Sequence, residues 1–526
     1  MIRNAPPATS IPPLATEDAM GNRDACPRER LARLRLVFAW SALCLLSACM
    51  VGPDYVKPKA QTTAAYKEQP GWKQAQPQDQ FPRGKWWEVF NDPQLNALED
   101  QVYISNQNIA FALAQFQQAR AIVQEARSAL FPTVTASASV TRQKPSSTLG
   151  PAPVAHGAYN YYTLPVEASW VVDLWGQARR AYQATEANAQ ASAADLETAR
   201  LTATSEVAQD YFQLRTLDAQ KALLDDTVVA YQKSLDLTKN RYASGVASKA
   251  DVTAAETQLR STQAQAIDLG VQRAQMENAI AILIGKPPAM FSLPASPLTA
   301  PPPPIPVGVP SALLERRPDI AAAERRVAAA NAEIGVAIAA YYPTLNLSAI
   351  GGFSTANLSE WFTYPSRAWS VGASLAGTLF NGGFFRAQTD AARAAYDGTA
   401  ATYRQTVLTG FQEVENNLAA LRILEQEATV QADAVAAAQQ SVQLFTNQYK
   451  AGTISYLSVV VVQAALLSNQ STAVTILGNR MNAAVLLVKA LGGGWDSAQL
   501  PDDKALGIRY GQDSSGAAVQ ASNQAK

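Results

Sequence analysis

Arg241-Tyr242-Ala243-Ser244-Gly245 returns 207 residues later as Gln448-Tyr449-Lys450-Ala451-Gly452. Glu206-Val207 returns as Glu413-Val414, and Ile284-Gly285 as Leu491-Gly492, at the same offset. Phe131-Pro132-Thr133 matches Tyr342-Pro343-Thr344 at nearly that spacing, and Leu174-Trp175-Gly176 resembles Leu379-Phe380-Asn381-Gly382. A fixed period of this kind is the mark of an internal duplication. The chain reads as two structurally similar halves, 94–285 and 311–495. They are joined by a proline-rich linker, 286–310, whose Pro301 to Pro304 cannot be helical.

Outward from the matched glycines, each half follows one order: a helix, a strand, a loop, a second strand, a very long helix, a tight turn and another long helix. The long helices are expected over Gln177 to Tyr242 and Phe384 to Tyr449, each about 100 Å at 1.5 Å per residue. No globular core is that long. Val207, Tyr211, Leu214, Leu217, Leu224, Val228, Tyr231, Leu235 and Tyr242 form an apolar stripe spaced mostly by three and four. Phe411, Val414, Leu418, Leu421, Val435, Val442, Phe445 and Tyr449 form its counterpart. This spacing is that of coiled-coil packing, and the stripes are read as wall rather than as binding surface.

The strands alternate. Val134, Ala136, Ala138 and Val140 face one side of Thr133 to Thr141, and the threonines and serines face the other. Tyr162 to Trp170, Leu345 to Ala349 and Trp369 to Leu375 repeat the pattern, with Pro165 weakening the second strand locally. Strands of about 9–11 residues, apolar on one side and small and polar on the other, suit a water-filled barrel in a bilayer. Half-buried strands of a soluble sheet are the alternative. Trp170, Trp369, Tyr161 and Tyr162 suit aromatic girdles at the ends of such strands.

The N-terminal stretch is a secretion signal in layout. Arg28, Arg30, Arg33 and Arg35 flank an apolar run that closes on Leu46-Ser47-Ala48-Cys49. Small residues before a cysteine form a lipobox, so residues 1–48 are expected to be removed and Cys49 to become a lipidated N-terminus. An ordinary signal peptide or a short anchor helix is the alternative. Met20 offers a more usual start than Met1. Cys26 and Cys44 leave with the signal, so no disulfide, zinc site or thiol nucleophile is expected in the mature chain. Met50 stands where an aspartate commonly signals inner-membrane retention, which favours the outer membrane. Residues 49–93 form a lipidated N-terminal segment, and 496–526 a polar tail.

Composition narrows the function classes. In this chain of 526 residues, 43 basic and 43 acidic side chains cancel and charged residues are only 16%, unlike a nucleic-acid binder. Mean hydropathy is −0.09, unlike a bundle of membrane-spanning helices. The one histidine, His156, sits in a Gly- and Pro-rich loop and reads as exposed rather than metal-bound. Neither a Ser-His-Asp arrangement nor a phosphate-binding loop is present. Neither an enzyme nor a cofactor is expected beyond the covalent lipid at Cys49, and no metal site.

Five blocks in fixed order resemble the TolC/OprM-like outer-membrane factor family, in its lipoprotein branch. They are Cys49-Met50-Val51-Gly52-Pro53-Asp54-Tyr55-Val56-Lys57-Pro58, Trp86-Trp87-Glu88-Val89-Phe90-Asn91-Asp92-Pro93, Asp173-Leu174-Trp175-Gly176, Glu315-Arg316-Arg317-Pro318-Asp319-Ile320 and Ala490-Leu491-Gly492-Gly493-Gly494-Trp495. The resemblance implies a mixed α and β fold. Three chains would build one twelve-stranded outer-membrane β-barrel, four strands from each, continued by a long α-helical coiled-coil barrel in the periplasm. Open sheet edges make the same demand, because lipid does not tolerate them. It implies an exit duct of a tripartite efflux pump that partners an inner-membrane transporter and a periplasmic adaptor. A duct for type I protein secretion is the runner-up, and a non-conducting periplasmic scaffold is a third reading.

By the same resemblance the turns form the periplasmic tip. Adaptor docking is then expected at Tyr242, Gly245, Val246 and Ser248 and at Tyr449, Gly452, Thr453 and Ser455. The glycines are also what a helix-ending turn requires. At the gate the chain departs from the family. A block resembling Tyr-Leu-Thr-Leu-Leu-Asp-Ala-Gln-Arg reads here Tyr456-Leu457-Ser458-Val459-Val460-Val461-Val462-Gln463-Ala464, so Val461 and Ala464 replace an acidic and a basic residue. A constriction closed mainly by apolar contacts of Leu457, Val460 or Val461 is expected, with Asp251 the nearest acidic candidate or else a solvated first-turn carboxylate.

Overall fold

The computed structural model describes residues 50–63, 65–68, 84–144, 146, 157–305 and 310–506. The signal segment 1–48, the lipobox Cys49, His156 and the end of the tail lie outside the described residues.

Helices dominate. After a 3-10 turn at Trp86–Phe90 come α1 (Pro93–Ser105) and α2 (Gln107–Ser128). The first half continues through β1 (Thr133–Ala136), β2 (Ser139–Gln143), β3 (Tyr159–Val172), α3 (Gln177–Ala243) and α4 (Lys249–Leu283). The second half is α5 (Pro318–Ala339), β4 (Thr344–Thr355), β5 (Arg367–Ala376), α6 (Phe384–Lys450) and α7 (Tyr456–Ala490).

The duplication holds at single-residue precision in the helices. α3 and α6 have 67 residues each, and α4 and α7 have 35 each. All four of these helix ends recur at an offset of 207. α2 and α5 have 22 residues each and recur at 211. The difference of four residues is taken up between the paired strands of each half, where the connecting loops differ. Loops tolerate such changes; a helix wall in register does not.

Two strands per half are expected and two ladders are found, with one interruption. β1 and β2 lie on the same side of β3 in one continuous register, Ala136 opposite Val166 and Ser139 opposite Thr163. The break falls opposite Pro165. The Ser137 N–H donates to the Pro165 carbonyl at 3.1 Å, but Pro165 has no N–H to return. The first strand is therefore one strand missing one bond, worth about 1 kcal/mol. Pro165 sits inside the sheet, with β4 on its other flank, where Gly352 is its partner. A Cβ on Gly352 would lie 2.1 Å from the Leu164 carbonyl oxygen, so glycine makes the close approach possible. The sheet runs β1/β2, β3, β4, β5, antiparallel throughout, and both edge strands are exposed along their whole length.

The sequence blocks act as anchors. Asp92 caps α1 by accepting from Gln94 and Leu95 N–H at 2.9 and 3.1 Å, and it also accepts the Tyr211 hydroxyl at 2.6 Å. Asp173 accepts from Ala178 and Arg179 N–H at the start of α3. Buried Arg317 binds Asp319, Glu413 and the Ala490 carbonyl. The linker is pinned by a buried charge cluster. Arg215 pairs with Asp218, and its Nη1 donates to the Pro294 carbonyl at 2.8 Å. Asp218 also takes Arg273 and the Ser296 N–H. Losing one partner of such a cluster strands a buried charge.

The segment that begins with Val51 lies as a strap along the helices. The Val51 N–H donates to the Trp175 carbonyl at 3.0 Å, and buried Arg180 holds the Val51 and Gly52 carbonyls and Asp54. Gly52 has φ +98° and touches Gly335 so closely that a Cβ would lie 2.5 Å from its Cα. Tyr55 hydrogen-bonds Glu324, and Glu68 pairs with Arg422.

Along the long helices, α6 packs on α7, α7 on α3 and α3 on α4. The sequence stripes are largely interior: Val207, Leu214, Tyr231, Leu235, Val414 and Leu418 are buried, whereas Tyr242 is exposed. The row ends on α4 and α6, and both carry exposed apolar residues: Ile267, Val271 and Ile282 on α4, and Ile423, Val430 and Leu444 on α6. The last three are spaced in multiples of seven, a coiled-coil seam without a partner among the described residues. α7 is apolar enough to cross a membrane by length and composition, with mean hydropathy 1.4 over its most apolar window, yet only 17% of that window is buried.

Glu99 is fully buried in α1, and neither carboxylate oxygen has a hydrogen-bond partner among the described residues. Burial, with a lesser push from Asp100, raises its pKa well above the carboxylate range. Because the folded pKa is raised, stability is fullest below the ordinary carboxylate pKa and falls as pH rises toward the folded value. Glu99→Gln should raise the melting temperature near neutral pH, with the gain shrinking in acid. Thermal unfolding at two pH values checks this, and an equal effect at both would contradict it.

Candidate functional site: the sheet and the helical turns

Register assigns every strand residue to a face. Tyr162, Leu164, Val166, Ala168 and Trp170 of β3 share a face with Val134 and Val140, with Leu347 and Ala349 of β4, and with Trp369 and Val371 of β5. The opposite face carries Thr133, Thr135, Ser139, Thr163, Glu167, Ser169, Asn346, Ser348, Ser370 and Ser374. Its hydroxyls and amides bond across strands: Ser139 with Thr163 at 2.7 Å and Ser169 to Asn346 at 3.3 Å. Trp369, 80% exposed, and Val371, 76% exposed, would be costly on a soluble protein. Of the four expected girdle aromatics, Tyr162, Trp170 and Trp369 share the apolar face. Tyr161 does not: it points with Thr163 to the polar face, where its hydroxyl accepts from Ser354 at 2.7 Å. The strand period alone decides this, since Tyr161 and Tyr162 are neighbours.

At the far ends of α3 and α6 the two matched turns lie side by side. Gly245 and Gly452 take φ +74° and +78°. The Gly245 N–H returns to the Tyr242 carbonyl at 2.9 Å and the Gly452 N–H to Tyr449 at 3.0 Å. The Val246 and Thr453 N–H groups reach the Arg241 and Gln448 carbonyls, closing both helices in the same way. Nothing lies within 4 Å of a Cβ built on Gly245, so backbone geometry and not crowding requires glycine there.

The turns differ after the glycine. Ser248 and Asp251 form a capping box, Ser248 N–H to Asp251 Oδ2 at 3.0 Å and Asp251 N–H to Ser248 Oγ at 3.1 Å. This cap is the role in which Asp251 is found. Ser455 starts α7 without a side-chain cap. The turns are tied together by Arg241, whose Nη1 donates to the Lys450 carbonyl at 2.9 Å and whose guanidinium lies 4.7 Å from the Tyr449 ring centre. Beneath them Tyr231, Leu235, Val252, Leu259, Tyr449, Tyr456 and Val459 form a small core. Burial raises the Tyr456 phenol to about 12, so it stays protonated. Neither Arg241 nor Tyr456 stands out as a tip residue in the sequence. Arg241 heads the first copy of the repeat, but its counterpart Gln448 masks the signal.

Of the expected gate residues, Leu457 and Val461 are 64% and 60% exposed and stand one turn apart on α7. Val460 lies partly buried against the small core, and Asp251 is half-buried in its cap. A group of three or more metal-ligating side chains is not found among the described residues.

A strongly amphipathic antiparallel sheet, open at both edges and continued by helices of about 100 Å, defines a membrane-channel protein of the barrel-and-helix type. The family described as outer membrane efflux protein matches residues 98–286 and 309–493, and the chain belongs to that family. The pyoverdine export outer membrane protein OpmQ of Pseudomonas aeruginosa is 32% identical over 418 residues, 78% of this chain and 88% of the relative. The solvent efflux pump outer membrane protein SrpC of Pseudomonas putida is 31% identical over 474 residues, 87% and 98% of the two chains. Among solved structures, the outer-membrane channel OprN superposes with TM-score 0.80 at 30% identity, covering 85% of this chain and 100% of that one. VceC of Vibrio cholerae gives 0.74 at 28%, covering 78% and 99%. The protein is an outer-membrane efflux component, with its sheet in the outer membrane and its helices in the periplasm.

Arg241→Ala should loosen both turns at once. The lost contacts are worth about 1–2 kcal/mol, so amide exchange at 241–248 and 448–455 should quicken roughly 5- to 30-fold. Ser248→Ala should affect the first turn alone. Hydrogen-exchange mass spectrometry distinguishes the two patterns.

Proposed function

We propose that three copies of this chain form a passive exit duct, without catalysis or cofactor, for small toxic compounds. An inner-membrane transporter supplies the energy and a periplasmic adaptor joins the two. The observation that carries this reading is the pair of unsatisfied edges in each chain. β1/β2 and β5 present free backbone groups in a membrane, and α4 and α6 present apolar seams at the matching ends of the helical row. Four strands cannot enclose a channel, whereas twelve can. Pairing β5 of one chain with β1/β2 of the next, and α6 with α4, removes every edge in one operation. The apolar face then meets lipid and the small polar face lines water.

The chain is read as a signal (1–48), a lipidated segment (49–93), two repeats (94–285 and 311–495) with their linker (286–310), and a tail (496–526). Cys49 carries the lipid that, with the barrel, anchors the protein in the outer membrane. The strap supports this: Val51, two residues on, is fixed at Trp175, just past the end of β3. Export of small molecules is preferred to protein secretion because efflux relatives dominate the similarities.

The two turns are read as the adaptor's docking site, through Tyr242, Gly245, Val246 and Ser248 and through Tyr449, Gly452, Thr453 and Ser455. In a strain lacking the gene and hypersensitive to toxic compounds, the wild-type chain should restore resistance. Gly245→Trp and Gly452→Trp should not, although cross-linking still finds trimers. Gly245→Asn, which tolerates the left-handed turn, should restore it. Full resistance in both tryptophan variants would remove docking from these turns.

The gate is read as apolar. Leu457 and Val461 face away from their own chain, supported by Val460 and flanked by Asp251, and three copies meeting at the axis exclude ions by dewetting. Val461→Asp should raise the resting single-channel conductance of the purified trimer or create a divalent-cation block. Unchanged closure and cation response in both Val461→Asp and Val460→Asp would place the gate elsewhere.

A further inference from the structure

A cleft of about 520 Å³ lies in the helical wall where the first hairpin, α3 with α4, meets α7 of the second. Each helix gives it one face at spacings of three, four and seven, from 220–231 of α3, 258–269 of α4 and 464–472 of α7. The longest of these stretches runs about 16 Å. Two side-chain bonds between α3 and α7 bracket the cleft. Gln463 Nε2 donates to Ser234 Oγ at 3.1 Å on the side of the turns, and Gln220 Nε2 donates to Thr475 Oγ1 at 3.2 Å on the other. Between these two bonds α7 makes no side-chain hydrogen bond to α3 or α4 among the described residues.

The cleft holds hydrogen-bonding capacity that the helices do not use. Tyr231 is 4% exposed, and its hydroxyl has no hydrogen-bond partner among the described residues. Both Oε1 and Nε2 of Gln258 are buried and equally without one. Burial raises the Tyr231 phenol and Gln258 pulls against it, so the two side chains are close, yet they do not bond each other. The phenol stays protonated and neutral. Buried polar groups are normally paired, so three such atoms on one cleft point to a ligand.

The lining sets the chemistry of that ligand. No lining residue is charged, so an ion would lose hydration without gaining a countercharge. Leu223, Leu224, Leu269 and Leu467 offer apolar contact. The Tyr231 hydroxyl and the Gln258 amide can each donate and accept. An apolar ring bearing one hydroxyl satisfies both halves of the lining, and the volume is in the range of small-molecule sites.

We propose that this cleft binds an uncharged amphiphile of the aromatic-alcohol class, its hydroxyl on Tyr231 and Gln258 and its ring among the leucines. The ligand touches α3, α4 and α7 at once, so it adds a bridge between the two hairpins where side chains supply none. The site goes beyond the passive duct proposed above and does not depend on where the gate lies.

The test uses the purified full-length protein carrying Ser471→Cys, which puts a thiol on the cleft, or Lys239→Cys on an exposed part of α3 as the control. The probe is 1-naphthol. Naphthalene, which lacks the hydroxyl, and 1-naphthoate, which is charged, are its comparisons. Alkylation by a maleimide is followed at each position by peptide mass spectrometry. 1-Naphthol should protect position 471 saturably and leave position 239 open. Naphthalene should need about 10-fold higher concentration, and 1-naphthoate should not protect. Tyr231→Phe keeps the ring in the small core and removes only an unpartnered hydroxyl, so folding is retained. It should weaken protection by 1-naphthol about 10-fold and leave protection by naphthalene unchanged. At about ten times the half-protecting concentration of 1-naphthol, amide exchange across 464–472 should slow roughly 10-fold. Equal protection by naphthalene and 1-naphthol, or protection unchanged in Tyr231→Phe, would reduce the effect to partitioning into an apolar gap and overturn the site. Absence of protection at 471 would leave the cleft to water and overturn it as well. Protection without slower exchange would overturn the bridge between the hairpins.

Discussion

A backbone amide placed in hydrocarbon has to find its partner within protein, and the rest of this molecule is arranged around that demand. One chain supplies a first strand, β3, β4 and β5, and leaves two edges open. Each half contributes a pair of strands too few to enclose anything, so duplication alone does not close the barrel. Closure has to come from further copies. The helical part repeats the situation on a larger scale: four long helices in a row, with seams at α4 and α6 that nothing among the described residues covers. The sheet and the helices are open at corresponding ends of the row, so one rotation can satisfy both.

The same constraint explains what varies and what does not between the halves. Helix lengths are identical because a helix displaced by one residue turns its apolar stripe by about 100°. The loops between strands differ by four residues because they lie beyond the ladder. Pro165 shows the tolerance of the strand region. It removes a single bond in the middle of the sheet, and Gly352 on the other flank accommodates the close approach. The defect remains local because the register continues unchanged across it.

Periodicity made most of the fold legible. The long helices start at the expected residues and end one residue later, at Ala243 and Lys450, since the glycine turns that stop them are written in the sequence. Alternation located the strands. It missed the interruption at Ser137 and Ala138, because the missing donor belongs to a different strand. The orientation of Tyr161 follows from strand period without any register, since adjacent strand residues cannot share a face. The cluster of Arg215, Asp218 and Arg273 joins positions too distant in sequence for any local pattern to connect. Asp251 was legible as a first-turn carboxylate, and that is the environment it has. The small core beneath the turns was half legible: its aliphatic members lie on the stripes, but the pairing of Tyr449 with Tyr456 depends on two helices meeting.

The two turns, alike in backbone, have diverged in how the next helix begins. After the first glycine, α4 starts with a capping box that fixes its N-terminus and neutralises its exposed amides. After the second, α7 starts with no side-chain cap and runs directly into Leu457 and four consecutive valines. A capped start resists fraying, whereas an uncapped one relies on packing. In the isolated chain that packing is incomplete: Val459 is buried and Val460 partly so, but Leu457 and Val461 are open. The second turn is thus the one whose stability depends on neighbours. Contact with other copies, or its loss, would alter the second hairpin before the first. Arg241 carries the coupling between them, since it grips the Lys450 carbonyl from the capped side. In the gate proposed above, an apolar constriction would be held by association and not by a charge pair, and separation of the second hairpins would open it while the first remain anchored.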